Sequence, residues 1–406
     1  MNTVSTNAHA VTDALATISG HEFLRVGEGF VAVSPANSEE VASILRFANA
    51  HGCSVAPMGG GTKRAWGNRV RPEIVLEMKR FNAVQEHTWQ DMTCTVEAGC
   101  TWSAMQDVLA QHGQFVALDP LWPERATVGG VIATNDSGTL RLKYGSLRDL
   151  VIGMTIVLAD GTIAHSGGKV IKNVAGYDLH KLMIGAFGTL GVITAVNFRL
   201  HAKPAHSRSF SIAATAAAPL GELLLKLLDA QLSAQSMQLR KADDGFALDV
   251  RIASLSEVIE AQSKTLEALA QSAKLMIGVS AADAWSARQE CFGRNECIAI
   301  KATMLPSEIA RFAEAVRRAG GESVTQATGI MTASLPSKAS ASVQQLREEV
   351  EAAGGSLTVL EQPGNEPENE LDRWGTLPDS LPLMRALKRR FDPNGILNPG
   401  RFLGGR

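Results

Sequence analysis

The sequence predicts a two-domain α+β protein, and three observations carry that expectation. A strand-helix-strand run leads into three consecutive glycines at Gly59, a second block dense in Gly, Thr, Ser and Asn follows at 118–138, and near Pro204 the pattern changes. Beyond that point β-rich runs alternate with Ala-rich helical stretches that contain few aromatic residues. A chain of 406 residues is also long for a single core.

In the run from Phe30, "FVAVSP" is rich in strand formers and Asn37 and Glu40 have capping-box spacing. Val41, Ile44, Leu45 and Ala48 then recur at helical intervals until Gly52. "CSVAPM" supplies the next strand, so Gly59, Gly60 and Gly61 sit at a strand's C-terminal end, where α/β sheets bind ligands. Two familiar loops are excluded by spacing. Arg64 breaks G-x-G-x-x-G, and no Gly-Lys-Ser/Thr closes a Walker A loop. Successive amides without side chains can turn inward as an anion nest, with the Thr62 hydroxyl beside them, and a diphosphate is the expected guest. A side chain at Gly60 is expected to collide with it.

Strands follow in "EIVLEM" and "CTVEAG", then a helix from Thr101 to His112 ending at Gly113. "LVIGMTIVLADGTIAHSG" reads as a hairpin turning at Asp160-Gly161, and "GGKVIKNVAGYDLHKLMIGAFGTLGVITAVNFRL" ends as a core strand. Helices are expected at 256–273, 307–319 and 337–353. "QPGNEPENELDRWG" reads as a linker to the final helix "SLPLMRALKRRF", whose basic last turn suits the helix dipole, and "DPNG" as a type I turn. The expected domains are 1–204, 205–365, and a segment 366–406 that returns to the first domain.

Composition narrows the function. With 45% apolar residues, 20% charged residues and a net charge of -2, nothing favours a polyanion, and nucleic acid is excluded as a partner. The longest apolar run, "LVIGMTIVLA", is about half of what a bilayer needs, so no transmembrane helix is expected. No Lys or Arg precedes Arg25, so the basic flank of a signal peptide is missing and a cytoplasmic location is expected. Cys53, Cys94, Cys100, Cys291 and Cys297 contain no C-x-x-C pair. They read as reduced thiols, and any iron-sulfur cluster would sit on another chain.

Five stretches in order, "PMGGGT", "ATVGGVIATNDSG", "LKYGSLRDLVIGMTIVLADG", "GGKVIKNVAGYDLHKLMIGAFGTLGVIT" and "FDPNGILNPGRF", resemble the signatures of FAD-linked oxidases of the vanillyl-alcohol oxidase / PCMH type. More narrowly they resemble the glycolate oxidase and D-lactate dehydrogenase branch. The resemblance covers about residues 25–204 and the last ~20. It implies a PCMH-type FAD-binding domain of two α+β subdomains, an α+β ferredoxin-like cap, and a C-terminal segment returning to the FAD domain. It also implies roles for matching positions. Gly59, Gly60, Gly61 and Thr62 would hold the diphosphate, with Thr127, Gly129 and Gly130 on the second wall. Asn135, Ser137 and Gly138 would continue towards the isoalloxazine, Val192 and Ile193 would lie near the adenosine, and Asn398 near the flavin ring. Relatives that tether FAD use a histidine or cysteine in these loops. Neither loop has one, so the FAD is expected to be non-covalent.

Departures from the family pattern matter equally. Relatives that oxidise 2-hydroxy acids resemble one another in a histidine-rich cap, where imidazoles bind metal or take the hydroxyl proton. Here the last of nine histidines is His206, and the only tyrosines, Tyr144 and Tyr177, lie in the flavin signatures. Arg240, Arg251, Arg288, Arg294 and Lys301 could clamp a carboxylate, but cations of this kind are mostly solvated, and no residue is assigned as catalytic. Tyr177 and Asp178, in "GYDL", are expected to set the packing of the "KNVAGYD" turn and to position the flavin. His165 and His180 lack a second histidine at ligand spacing, so no metal is expected. Cys291 and Cys297 read as core or interface thiols and Trp285 as a core aromatic.

The resulting expectation is the FAD-binding subunit of a multi-subunit glycolate oxidase that converts glycolate to glyoxylate. It would work beside a larger catalytic flavin subunit and an iron-sulfur subunit, and meet a membrane only peripherally through that complex. Two alternatives stay open: a stand-alone FAD dehydrogenase for D-lactate or another 2-hydroxy acid, using His165 or a cap carboxylate as base, and a non-catalytic assembly subunit with structural FAD.

Overall fold

In a computed structural model of the chain, the described residues are 3–169, 176–230, 232–280, 282–293, 296–363 and 371–405. By contact they form two units. One comprises Met1–Asp136, Ser146–Lys203 and Leu377–Arg406; the other comprises Ser137–Gly145 and Pro204–Thr376.

The first unit holds two principal sheets. Its four-stranded sheet runs Leu24–Gly27, Phe30–Val33, Ile74–Glu77, Val55–Met58 in spatial order. The last three strands are parallel, so the expected strand-helix-strand unit forms with Ile74–Glu77 inserted between its strands. The helix Ser38–His51 starts because Asn37 Oδ1 accepts from the Glu40 amide at 2.8 Å while Glu40 Oε2 accepts from the Ala36 amide at 2.9 Å, and it stops at Gly52 in the left-handed region. Val41, Ile44, Leu45 and Ala48 form its buried stripe. The five-stranded sheet is antiparallel, in order Val84–Thr88, Thr93–Glu97, Val192–Arg199, Val151–Val157, Ile163–Gly167. The expected hairpin pairs Val157 with Ile163, and Thr162 donates its amide to Asp160 Oδ1 at 2.9 Å within the turn.

The second unit is one eight-stranded antiparallel sheet backed by the helices Ala217–Asp229, Ser256–Ser272, Ile309–Arg318 and Ser340–Ala352. Its chain order is strand-helix-strand-strand-helix-strand, twice. The first copy, His206–Ala214 to Met276–Val279, and the second, Cys297–Thr303 to Ser356–Glu361, each place their strands in the order 4-1-3-2. The ferredoxin-like cap is therefore a pair of such units, joined edge to edge where Ala234–Ala242 pairs with Glu322–Gln326 and Gln238 stands opposite Gln326. Leu220, Leu223, Leu224 and Leu227 of the first helix share its core with Phe312 and Val316. Half of the expected linker, 364–370, lies outside the described residues.

Candidate functional site

The first glycine loop begins where Val55–Met58 ends, and the fold holds it from two directions. On one side the C-terminal segment lies beside its strand. The Val55 amide donates to Ile396 O and the Asn398 amide to Val55 O, both at 2.8 Å. The Arg401 guanidinium then donates to the carbonyls of Lys63 at 3.3 Å and of Arg64 and Trp66 at 3.1 Å. On the other side lies the second glycine-rich block. A Cβ on Gly59 would stand 2.0 Å from Thr127 Oγ1, and one on Gly60 would stand 1.8 Å from the carbonyl oxygen of Arg125. The first obstacle to a side chain at Gly60 is therefore the protein's own backbone, which precedes any collision with a diphosphate.

Among the described residues, the amides of Gly60, Gly61 and Thr62 find no backbone acceptor, and Gly60 and Gly61 are exposed. Such a row of free donors suits phosphate oxygens. Thr127 caps the helix Val128–Thr134, its Oγ1 accepting from the Gly130 amide at 3.4 Å, and Gly129 is packed so closely that its amide reaches Ala98 O at 2.8 Å.

One pair that sequence reasoning missed ties the two blocks together. Lys63 and Asp136 are both buried, with Nζ 3.2 Å from Oδ2; Asp136 also accepts the Leu121 amide at 2.8 Å, and Lys63 donates to Leu121 O at 3.4 Å. The ammonium lies 5.4 Å from the Trp122 ring centroid and 5.7 Å from that of Trp66. Lys63 and Asp136 stand among glycines in both stretches, but nothing local marks them as partners.

Beyond this pair the wall continues through Asn135, a left-handed residue at the C-terminus of Val128–Thr134. Its Oδ1 is buried without a hydrogen bond among the described residues, as is the Oδ1 of Asn398. The segment 185–188 links the two asparagines. Gly185 N donates to Ile132 O at 2.9 Å, Phe187 N to Ala133 O at 2.8 Å, and Asn398 Nδ2 to Phe187 O at 2.8 Å. Two buried acceptors left without donors are costly by themselves and fit a guest that carries N–H or O–H groups. Val192 and Ile193 are buried in the five-stranded sheet. Ser137 and Gly138 fall in the second unit, where Ser137 O accepts from Arg288 and from Gln326 Nε2 at 3.0 Å.

The other expectations divide. Tyr177 is 89% exposed and Asp178 pairs with Lys181 at 2.5 Å, while most of the turn they are expected to pack, 172–178, lies outside the described residues. His165 is exposed and shares a hydrogen bond with the Thr155 hydroxyl at 3.0 Å. Burial pushes the His180 imidazole below its ordinary value, against the opposing pull of Asp178. Among the described residues no cluster of His, Cys, Asp and Glu could hold a metal. Cys291 is buried and Cys297 half-buried, both as free thiols. Trp285 is half-buried, with the Arg251 guanidinium 4.4 Å from its ring and its Nε1 donating to Ser209 Oγ at 3.2 Å. Arg240 pairs with the fully buried Asp249 at 2.7 Å, and Arg294 lies outside the described residues. No helix among the described residues is long and apolar enough to cross a membrane.

Comparison with known proteins identifies the cofactor. Residues 31–167 match the FAD binding domain, and residues 320–402 match the C-terminal domain of FAD linked oxidases. FAD is the cofactor. The FAD binding match spans both glycine loops and the hairpin, while the C-terminal match runs from the second ferredoxin-like unit to the Arg401 contact. Over 91% of this chain and 88% of its own length, the glycolate oxidase subunit GlcD of Bacillus subtilis is 29% identical. D-lactate dehydrogenase of Archaeoglobus fulgidus is 42% identical, but over only 43% of this chain and 40% of that protein. The mitochondrial cytochrome-type D-lactate dehydrogenase of Arabidopsis thaliana is 37% identical over 44% and 31%. Among solved structures, p-cresol methylhydroxylase with substrate bound superposes with a TM-score of 0.75 at 15% identity, covering 99% of this chain and 97% of that one. This likeness establishes the PCMH-type fold alone.

Proposed function

We propose that this chain is the FAD-binding subunit of a multi-subunit glycolate oxidase, oxidising glycolate to glyoxylate beside a separate catalytic flavoprotein and an iron-sulfur subunit in the cytoplasm. FAD, when bound, supplies the two-electron acceptor. The chain's own residues bind and orient it without a covalent bond. The amides of Gly60, Gly61 and Thr62 would take phosphate oxygens, and Asn135 Oδ1 and Asn398 Oδ1 would accept from its N–H or O–H groups. The Lys63–Asp136 pair keeps the two loops in register.

The carrying observation is the poverty of proton acceptors in the second unit. It contains no histidine beyond His206, and the buried Asp249 carboxylate is taken up by Arg240, by Gln238 Nε2 at 3.2 Å and by Ser280 Oγ at 3.4 Å. Removing the hydroxyl proton of a 2-hydroxy acid needs a base whose pKa lies near the working pH. GlcD likeness over nearly the whole chain supports the glycolate reading.

One observation favours a stand-alone 2-hydroxy-acid dehydrogenase. Burial pushes the Glu361 carboxyl upward, which moves it towards the range a general base needs, although Arg373 opposes the shift. The test is anaerobic: the purified chain with FAD is mixed with glycolate or D-lactate and its visible band followed. A band that stays oxidised until the partner subunits are added supports the subunit reading. Rapid bleaching by the chain alone, lost in Glu361→Gln, supports the stand-alone enzyme.

A further inference from the structure

We propose that a pocket on the first unit, between the helix Leu381–Phe391 and the segment 181–190, binds a small amphipathic carboxylate: an aliphatic chain or ring carrying one anionic head. The cavity is about 230 Å³. That exceeds the ~150 Å³ apolar cavity that accommodates benzene and falls short of the roughly 300 Å³ at which drug-sized sites begin. Its body is apolar, with Leu182, Ile184, Leu190, Leu381, Met384 and Leu387 in the wall.

Its charge is one-sided. Arg148, Lys181, Arg385 and Lys388 line it, and no Asp or Glu does. Two of these cations are already engaged. Lys388 donates to Thr189 O at 2.8 Å, Leu397 O at 2.9 Å and Asp392 Oδ2 at 2.5 Å, and Lys181 holds Asp178. Of the other two, Arg148 feels the electrostatic pull of Asp178. Among the described residues neither Arg148 nor Arg385 makes a hydrogen bond or ion pair, and the Arg385 Nε is buried with its N–H unmatched. A buried guanidinium N–H without an acceptor costs free energy that a carboxylate oxygen would recover, in a geometry that arginine presents as a fork. An apolar body seated between Met384 and Leu387 would add burial of its own surface.

No residue expected to touch FAD lines this pocket, so it is separate from the cofactor cradle. It nevertheless shares a wall with it. Ile184, Gly185 and Ala186 face the pocket, while the Gly185 amide holds Ile132 O and Phe187 O holds Asn398. A ligand here would press on the segment that links the two asparagines.

Octanoate, 1-octanol and acetate are the probes, titrated calorimetrically into the full chain carrying FAD. Octanoate is expected to bind saturably, with 1-octanol and acetate each about tenfold weaker or worse, because each lacks one half of the match. Arg385→Gln is expected to weaken octanoate by about tenfold or more, and Met384→Trp to fill the cavity and abolish binding, both with flavin content unchanged. Absence of saturable octanoate binding overturns the proposal, as does binding that neither variant alters. Equal affinity for 1-octanol overturns the assignment of an anionic ligand.

Discussion

Both units bury a charged pair, but they use it differently. In the second unit Arg240 and Asp249 stand on the neighbouring strands Ala234–Ala242 and Gly245–Ser254, near the edge-to-edge joint, and reinforce a pairing that the backbone ladder already makes. In the first unit Lys63 and Asp136 lie in two loops that no ladder joins, each just past a glycine-rich stretch. The same chemistry stitches an existing sheet in one place and ties two glycine-rich loops together in the other. The difference teaches that a buried ion pair matters most to function where the backbone supplies no alternative tie.

The strongest way to break this comparison is at Gly60. Gly60→Leu forces a side chain into the Arg125 carbonyl, so flavin is expected to be lost and the melting temperature to fall even in flavin-free protein. An unchanged melting temperature of the apoprotein, with flavin lost, would return the constraint to the diphosphate. Next in size is Lys63→Met, which strands a buried carboxylate. About 3–5 kcal/mol of stability measured by urea unfolding is expected to disappear together with flavin content. Asp249→Asn is the matched control in the second unit. With Arg240 partly exposed, a cost of about 2–3 kcal/mol is expected and flavin content is expected to stay normal. Flavin loss of equal degree in both variants would erase the distinction.

The smallest effect is in pH dependence. Burial lowers the pKa of His180 in the folded state, so the unfolded chain binds the proton more readily. This group's contribution is therefore fully present above the unfolded value of 6.5 and is lost as pH falls from there through the lowered folded value. Chemical denaturation between pH 7 and 5 is expected to show stability falling with pH, with a shallower slope in His180→Gln. An unchanged slope would mean that other groups, such as the similarly lowered His201, dominate.

Local signals were read well because their physics is local. The Asn37 cap and the Asp160-Gly161 turn each depend on a few neighbouring residues. The Lys63–Asp136 tie and the insertion of Ile74–Glu77 between two strands were not legible, since both are settled by which distant segments meet. The reason for glycine at position 60 lay equally out of reach, because the obstructing atom belongs to Arg125 in the other block. Of the candidate site, the glycine loops and Asn398 stood out in the pattern, while the unmatched acceptors on Asn135 and Asn398 emerged only from the packing around them.

The grip of Arg401 on three loop carbonyls also bears on how the protein is made. Arg401 is translated 337 residues after Arg64. At about 5–20 residues per second the ribosome needs roughly 15–70 s to cover that interval. Once it has emerged from the exit tunnel, the first glycine loop spends the rest of that interval without its C-terminal clamp, and the Arg401 contacts can form only after synthesis has passed that residue.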